Sequence, residues 1–363
     1  MSQTRIGEGG PRGGLTRIEV AVLLGVLALL AAFSAPRIGG PSRGYSKKME
    51  CLNNMRQVGI AMQVFASSND GQLPPLADNF VVHPDKDSPP TGTLASGWPV
   101  FIFPAMDGAA LLKNIKRNAV VETGQAPNAA LRIGEAERIY FNGSTCPQDT
   151  DSHRQPGGLS YVVNAGFLSR SLYHGDPDGL HRLGQLSWDG NDVAGETADI
   201  EVAAATGVFW RKSEAFQPSL DFIGENDGTT QTLMLSENLQ AGSWWDTDTT
   251  RIAFGLPIDT ISVRVPFGRG TFFESVERPL NTQFDGGTLT SSLPRDWRIN
   301  SDLKAAIGTR PRPSSNHEGG VNVILCDGSG KFLSDKIDPH VYAKLLTPNG
   351  VKYGEGELKQ SEY

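Results

Sequence analysis

Three cysteines in 363 residues, Cys51, Cys146 and Cys326, are too few and too scattered for a disulfide scaffold or a Cys-rich zinc site, and at most one bridge can close within the chain. Positive charge is also in short supply. Lys and Arg number 33 against 40 Asp and Glu, a net charge of −7, so the cationic surplus that neutralises phosphates is missing and nucleic acid is not an expected partner. The sequence has no Gly-rich phosphate loop, no His-Glu-x-x-His, no paired zinc-type cysteines and no Gly-x-Ser-x-Gly elbow, which argues against an enzyme. Wholesale disorder is excluded, because 38% hydrophobic content over this length suffices to bury a core.

What the chain does have is turn chemistry and one apolar run. Gly 42 and Pro 23 make up about 18% of the residues, which favours many turns and short strands over a helical bundle. From Ile18 to Ala35 the sequence is apolar with Glu19 as its only charge, 18 residues or about 27 Å as a helix, close to the thickness of a bilayer core. The preceding leader, Met1 to Gly14, carries Arg5 and Arg12 against Glu8, which by the positive-inside rule places the N-terminus inside and the bulk outside. Three readings compete for the run: a signal peptide cut before Ala35, a plain uncleaved anchor, and a segment whose Glu19 has a purpose. Neither of the first two explains a carboxylate at the end of an apolar helix, which costs roughly 2.5 kcal/mol or more without a partner.

Gly14-Leu15-Thr16-Arg17-Ile18-Glu19 resembles the processing site of type IV prepilins and type II secretion pseudopilins, a glycine followed by an apolar residue, often Thr, and a glutamate fifth after the cut. The resemblance implies cleavage after Gly14 by a prepilin peptidase, methylation of Leu15 and pairing of Glu19 with a neighbouring subunit's amine. Arg17 departs from the pattern, since an apolar residue is usual there. Further blocks resemble the bacterial prepilin-like family catalogued as domain of unknown function 1559: Cys51-Leu52-Asn53-Asn54-Met55-Arg56-Gln57-Val58-Gly59, Thr145-Cys146-Pro147-Gln148-Asp149, Leu159 to Gly166, Asp227 to Thr232, Ser236-Glu237, and His317 followed after nine residues by Asp327-Gly328. The implied protein is α+β: a pilin-like, long N-terminal transmembrane helix and an enlarged, mainly antiparallel β-rich extracytoplasmic domain. Its parts would be a leader (1–14), a transmembrane helix (15–35), a collar (36–44), the domain (45–352, with its signature at 316–333) and a polar tail (353–363). It would sit as a single-pass protein in the cytoplasmic membrane, and its partners would be the peptidase, the membrane and copies of itself or other pseudopilins. The alternative is an exported glycan- or peptide-binding module released by signal-peptide cleavage. The resemblance also singles out Cys51 and Cys146 as a disulfide candidate, since family members often carry alanine where Cys326 stands; otherwise all three are small core hydrophobes.

Elsewhere the pattern predicts a helix over Tyr45 to Ser67, with Cys51, Met55, Val58, Met62 and Phe65 on one face and Asn69-Asp70-Gly71 ending it. Gly39-Gly40-Pro41 should interrupt any helix before it. Strands are expected at Trp98 to Phe103, Leu159 to Val163, Val208 to Trp210, Gln231 to Leu235, Val321 to Leu325 and Lys331 to Leu333, with a short helix from Gly108 to Arg117. Asp327-Gly328-Ser329-Gly330 is the tight turn between the last two strands. His317 is either a ligand or acid/base group or, at lower cost, a ring that fixes the incoming loop by hydrogen bonds; it and Asp327 stand at opposite ends of a strand. No cofactor is implied. The acidic loops holding Asp176 and Asp178, Asp189 and Asp192, and Asp246 and Asp248 are weak calcium candidates that Asx-turns explain more simply. Trp244-Trp245 offers an aromatic platform, of which one ring should be core.

Overall fold

The computed structural model describes residues 16–34, 41–82, 92–118, 120–121, 131–132, 139–141, 143–173, 181–185, 195–213, 216–258, 298–353, 357–359 and 362–363. The chain divides into two compact units, Met1–Tyr45 and Ser46–Tyr363.

Helix α1 (Arg17–Ser34) belongs to the first unit. Its start is set by a reciprocal cap: the Thr16 N–H and hydroxyl donate to Glu19 Oε2 at 2.8 and 3.0 Å, and the Glu19 N–H donates to Thr16 Oγ1 at 3.4 Å. The described side chains are exposed around the whole helix, Ile18, Val20, Val22, Leu23, Leu24, Val26 and Leu27 among them. Among the described residues no helix is long and apolar enough to cross a membrane. This corrects the pilin-like transmembrane architecture and the single-pass localisation expected from the sequence. The physical reason is that the helix opens only at Arg17 and carries both Arg17 and Glu19 in its first turn, which leaves an uncharged stretch of 15 residues, about 22 Å, against a hydrocarbon core of about 30 Å. Gly14 and Leu15, on which the processing site was placed, lie outside the described residues, as do Ala35 and collar residues 36–40.

The second unit is α+β. Helix α2 (Pro41–Ser67) starts at the proline expected to interrupt it, a residue tolerated in a first turn, where an N–H has no partner. It ends as predicted, with Asp70 and Gly71 at positive φ and the Gly71 N–H on the Ala66 carbonyl. A hairpin of β1 (Ala77–Val82) and β2 (Gly92–Gly97) follows, then helices α3 (Trp98–Ile102) and α4 (Ala109–Asn118) and the short pair β3 (Val120–Val121) and β4 (Leu131–Arg132). Trp98 to Phe103 is therefore helix rather than strand, Pro99 setting the helical φ in its first turn. The remaining elements are β5 (Tyr161–Ser169), α5 (Arg170–Tyr173), α6 (Thr197–Thr206), α7 (Leu220–Glu225), β6 (Leu233–Glu237), α8 (Thr249–Ile252), β7 (Ala253–Ile258), β8 (Gly320–Leu325), β9 (Gly330–Ser334) and α9 (Pro339–Leu346).

The central sheet has the order β7-β5-β6-β8-β9. It is mixed, because β7 runs parallel to β5 while the other three pairings are antiparallel. Strands β5, β6 and β8 are buried on both faces. Helix α2 lies on one of them: a Cβ at Gly59 would stand 3.0 Å from Ile324 of β8, so the helix approaches the strand through a glycine. On the other face, Asn164 Nδ2 donates to the carbonyls of Leu346 in α9 and Leu233 in β6, and its Oδ1 accepts from the Gly166 N–H. The register shifts between Asn164 and Gly166, and Gly166 adopts φ +68° where a Cβ would fall 2.0 Å from the Thr206 carbonyl. Val208 to Trp210 is not a strand, for the N–H groups of Val208 and Phe209 both turn to the Asn164 carbonyl.

His181 stacks on Trp210 at 3.9 Å between centroids, fully in the core, with Nε2 lacking a hydrogen-bond partner. Burial drives its pKa from 6.5 down to about 3, the Ala165 carbonyl opposing and Arg211 adding to the shift. The unfolded chain therefore binds a proton the folded chain refuses, so stability is full above pH 6.5 and is lost as pH falls toward 3, at no more than about 1.4 kcal/mol per pH unit. His181→Phe, which keeps the stacked ring, is expected to flatten this decline in urea denaturation measured between pH 7 and 4.

Candidate functional site

Sequence blocks hundreds of residues apart meet beneath α2. The apolar stripe of that helix turns Cys51 inward, and the turn that follows Thr145 presents Cys146 to it; the two sulfurs are bonded at 2.06 Å with the Cα atoms 4.8 Å apart. Cys326 is a free, buried thiol whose pKa burial pushes well up, with Asp327 adding to the shift. The bridge is braced by Tyr161 of β5, whose hydroxyl lies 3.0 Å from the Thr145 carbonyl and 3.3 Å from that of Cys51. Below the bridge lies a carboxylate. Glu237 ends β6 on the face toward α2, and its Oε2 accepts from the Asn322 N–H of β8 at 2.8 Å while Oε1 accepts from Asn322 Nδ2 at 3.3 Å. The third donor is His317, 3.0 Å from Oε1 through Nε2. A carboxylate only accepts, so that nitrogen carries the proton. The same Nε2 is 3.5 Å from Cys146 Sγ, and the Gln148 N–H reaches that sulfur at 3.4 Å.

Cys51, Cys146, Glu237 and His317 are at most 5% exposed. A buried charge is tolerable only when paired and hydrogen-bonded, and Glu237 has three donors plus the nearby Lys48 ammonium, whose pKa burial lowers and Glu237 raises. The approach loop is fastened too: the His317 N–H donates to Ser315 Oγ, and Asn316 Nδ2 to the Gln148 carbonyl. Deep burial directs this chemistry inward, fastening α2, the Cys146 turn and the His317 loop to the sheet. As a disulfide, the sulfurs offer a metal no thiolate.

Asp327 does not join His317. It holds its own turn, Oδ1 accepting from the Ser329 N–H and its N–H donating to Thr229, while Gly328 supplies φ +83° beside Gln63 of α2. Asp176, Asp178, Asp189 and Asp192 lie outside the described residues. In the third acidic loop, Asp248 caps α8 and Asp246 accepts from the Ser243 N–H, with Arg251 3.6 Å from Asp246 and 3.8 Å from Asp248. Of the tryptophan pair, Trp244 is core, with Nε1 on the Ile139 carbonyl, and Trp245 packs over Gly157, half-buried. Sequence reasoning missed Asn322 and Asn164 and did not connect Glu237 to His317. The available signal was polar residues set among apolar ones in strands with no solvent face.

Replacing both Cys51 and Cys146 by Ala is expected to lower stability by about 2–5 kcal/mol, since the bridge closes a loop of 95 residues. Glu237→Ala, which strands the His317 and Asn322 donors in the core, should cost about 3–5 kcal/mol. Both are measurable by urea denaturation of the oxidised chain.

No curated protein and no solved structure matches the chain. A family model described as a protein of unknown function (DUF1559) matches residues 43–340, a span that holds every residue of this cluster. The chain belongs to that family.

Proposed function

We propose that this protein is a prepilin-like structural subunit: a prepilin peptidase cuts it after Gly14, α1 packs against the same helix of other copies or related subunits, and the disulfide-fastened unit is the folded body of the assembly. The observation that carries the reading is α1 itself, a helix apolar around its circumference from Val20 through Leu27 and capped by the Thr16 and Glu19 pair of the processing motif. A helix of this kind needs apolar neighbours on every side, which a bundle of identical helices supplies. The disulfide supports residence in an oxidising compartment, where such bonds persist.

Mass spectrometry of the protein isolated from its own cells is expected to find methylated Leu15 as the first residue, whereas a chain starting at Ala35 would overturn the reading. Replacing Gly14 by a bulkier residue should slow cleavage. Glu19→Ala should leave cleavage intact, since no carboxylate is needed to form the scissile bond, and reduce assembly as followed by crosslinking. The lost cap accounts for about 1 kcal/mol of helix stability.

A second reading, an exported binding module, is favoured by a groove of about 510 Å³ in the body, lined by Phe65, Phe101, Phe216, Gln72 and Gln217. Its volume suits a small ligand, and half-buried rings beside amides suit a sugar or peptide. Screening of the full chain against glycan and peptide arrays tests it. Binding lost in Phe216→Ala supports the module, and uniformly blank arrays remove it.

A further inference from the structure

Thiols, not a disulfide, are what a newly made chain carries at positions 51 and 146, and the groups around them then form a different set. Two sulfurs, an imidazole nitrogen and a carboxylate oxygen lie within 4.8 Å of one another, all buried. Around tetrahedral zinc, with bonds of about 2.3 Å to sulfur and about 2.0–2.1 Å to nitrogen or oxygen, neighbouring ligand atoms stand roughly 3.3–3.8 Å apart. Here Cys146 Sγ is 3.5 Å from His317 Nε2, and that nitrogen is 3.0 Å from Glu237 Oε1. The two sulfurs stand 2.06 Å apart because they are bonded to each other, and reduction frees them from that spacing. The surroundings also suit a metal. Asn322 fixes the Glu237 carboxylate through two donors, and the Gln148 N–H points at Cys146 Sγ, where it would stabilise a thiolate. The Lys48 ammonium lies near Glu237 and would offset the net single negative charge of Zn²⁺ with two thiolates and one carboxylate.

We propose that the reduced cluster is a Zn²⁺ site, with Cys51 Sγ, Cys146 Sγ, His317 Nε2 and Glu237 Oε1 as its four ligands, and that ion and disulfide are alternatives at one place in the fold. On binding, the two thiols release their protons, and the imidazole moves its proton from Nε2 to Nδ1, staying neutral. Conversion to the disulfide uses a disulfide-bearing oxidant. The two thiolates give up two electrons and form the S–S bond; the oxidant's S–S bond breaks and its sulfurs take two protons as thiols; and Zn²⁺ leaves. The ion thus holds α2, the Cys146 turn and the His317 loop to the sheet before oxidation, at the place where the covalent bond holds them afterwards.

The test uses the full chain, reduced with a phosphine in metal-free, anaerobic buffer and titrated with Zn²⁺, or with Co²⁺ as a coloured substitute. The expected result is one ion per chain, thiolate-to-cobalt charge-transfer absorption, and far-ultraviolet circular dichroism equal to that of the oxidised protein. Adding a small-molecule disulfide should release one Zn²⁺, oxidise two protein thiols and liberate two thiols from the added disulfide. Cys326→Ser should leave the affinity unchanged, His317→Ala and Glu237→Gln should each weaken it by at least tenfold, and the Cys51→Ser, Cys146→Ser double variant should abolish binding. Absence of stoichiometric uptake by the reduced chain would overturn the proposal. So would uptake unaffected by both His317→Ala and Glu237→Gln, which would mean that thiols of an unfolded chain bind the ion.

Discussion

The body of this protein is organised around one buried carboxylate. Glu237 stands at the end of a strand with no solvent face, and an uncompensated charge there would cost several kcal/mol. Its oxygens therefore dictate where other segments go: Asn322 must be in register beside it on β8, His317 must arrive from the loop before β8, and Lys48 of α2 must lie near. The disulfide rests against the same imidazole and fastens α2 over the carboxylate. Hydrophobic burial supplies most of the driving force for such a core, but it is non-directional. The hydrogen bonds of one charged group select which of many compact arrangements is adopted.

A second polar centre does comparable work on the opposite face of the sheet. Asn164 spends both amide protons on carbonyls of β6 and α9, while its own carbonyl accepts the N–H groups of Val208 and Phe209. One side chain and its backbone thereby stand in for the ladder partners that a regular strand at 208–210 would have supplied. The register shift at Gly166 follows, for the chain passes so close to Thr206 that only glycine fits. Farther along, Asp227 accepts from the Gly350 and Val351 N–H groups and draws the segment after α9 back against the body, and the Tyr363 hydroxyl reaches the Thr230 carbonyl. Buried or half-buried polar groups, rather than long regular elements, thus hold a chain rich in turns.

Local chemistry was legible wherever it is settled within a few residues. The stripe of α2, the glycine that ends it, the turn at Asp327-Gly328 and the strands at 320–325 and 330–334 follow from spacing and turn residues, while the strand expected over 231–235 forms two residues later, at 233–237. Trp98 to Phe103 misled because bulky apolar residues fit a strand and a buried helix equally, and one proline in the first turn decided between them. Asn322, a polar residue among apolar ones in β8, is fully buried, since α2 covers its face and Glu237 takes its donors. Apolar length misled at the N-terminus: the run from Ile18 to Ala35 suggested a membrane span, but the helix opens at Arg17 with its two charges in the first turn, and Glu19 finds its partner locally in Thr16.

The sequence by itself determined the family blocks and their order, the α+β mixture of elements and the inward face of α2, because each depends on residues close together in the chain. Only the tertiary structure decided that Cys51, Cys146, Glu237 and His317 share one cluster, and that His317 answers to Glu237 rather than to Asp327. The reason is geometric. A hydrogen bond between residues 80 apart, or a bridge between residues 95 apart, leaves no periodic trace in the chain. It exists only once β6 and β8 have paired and α2 has been laid across them.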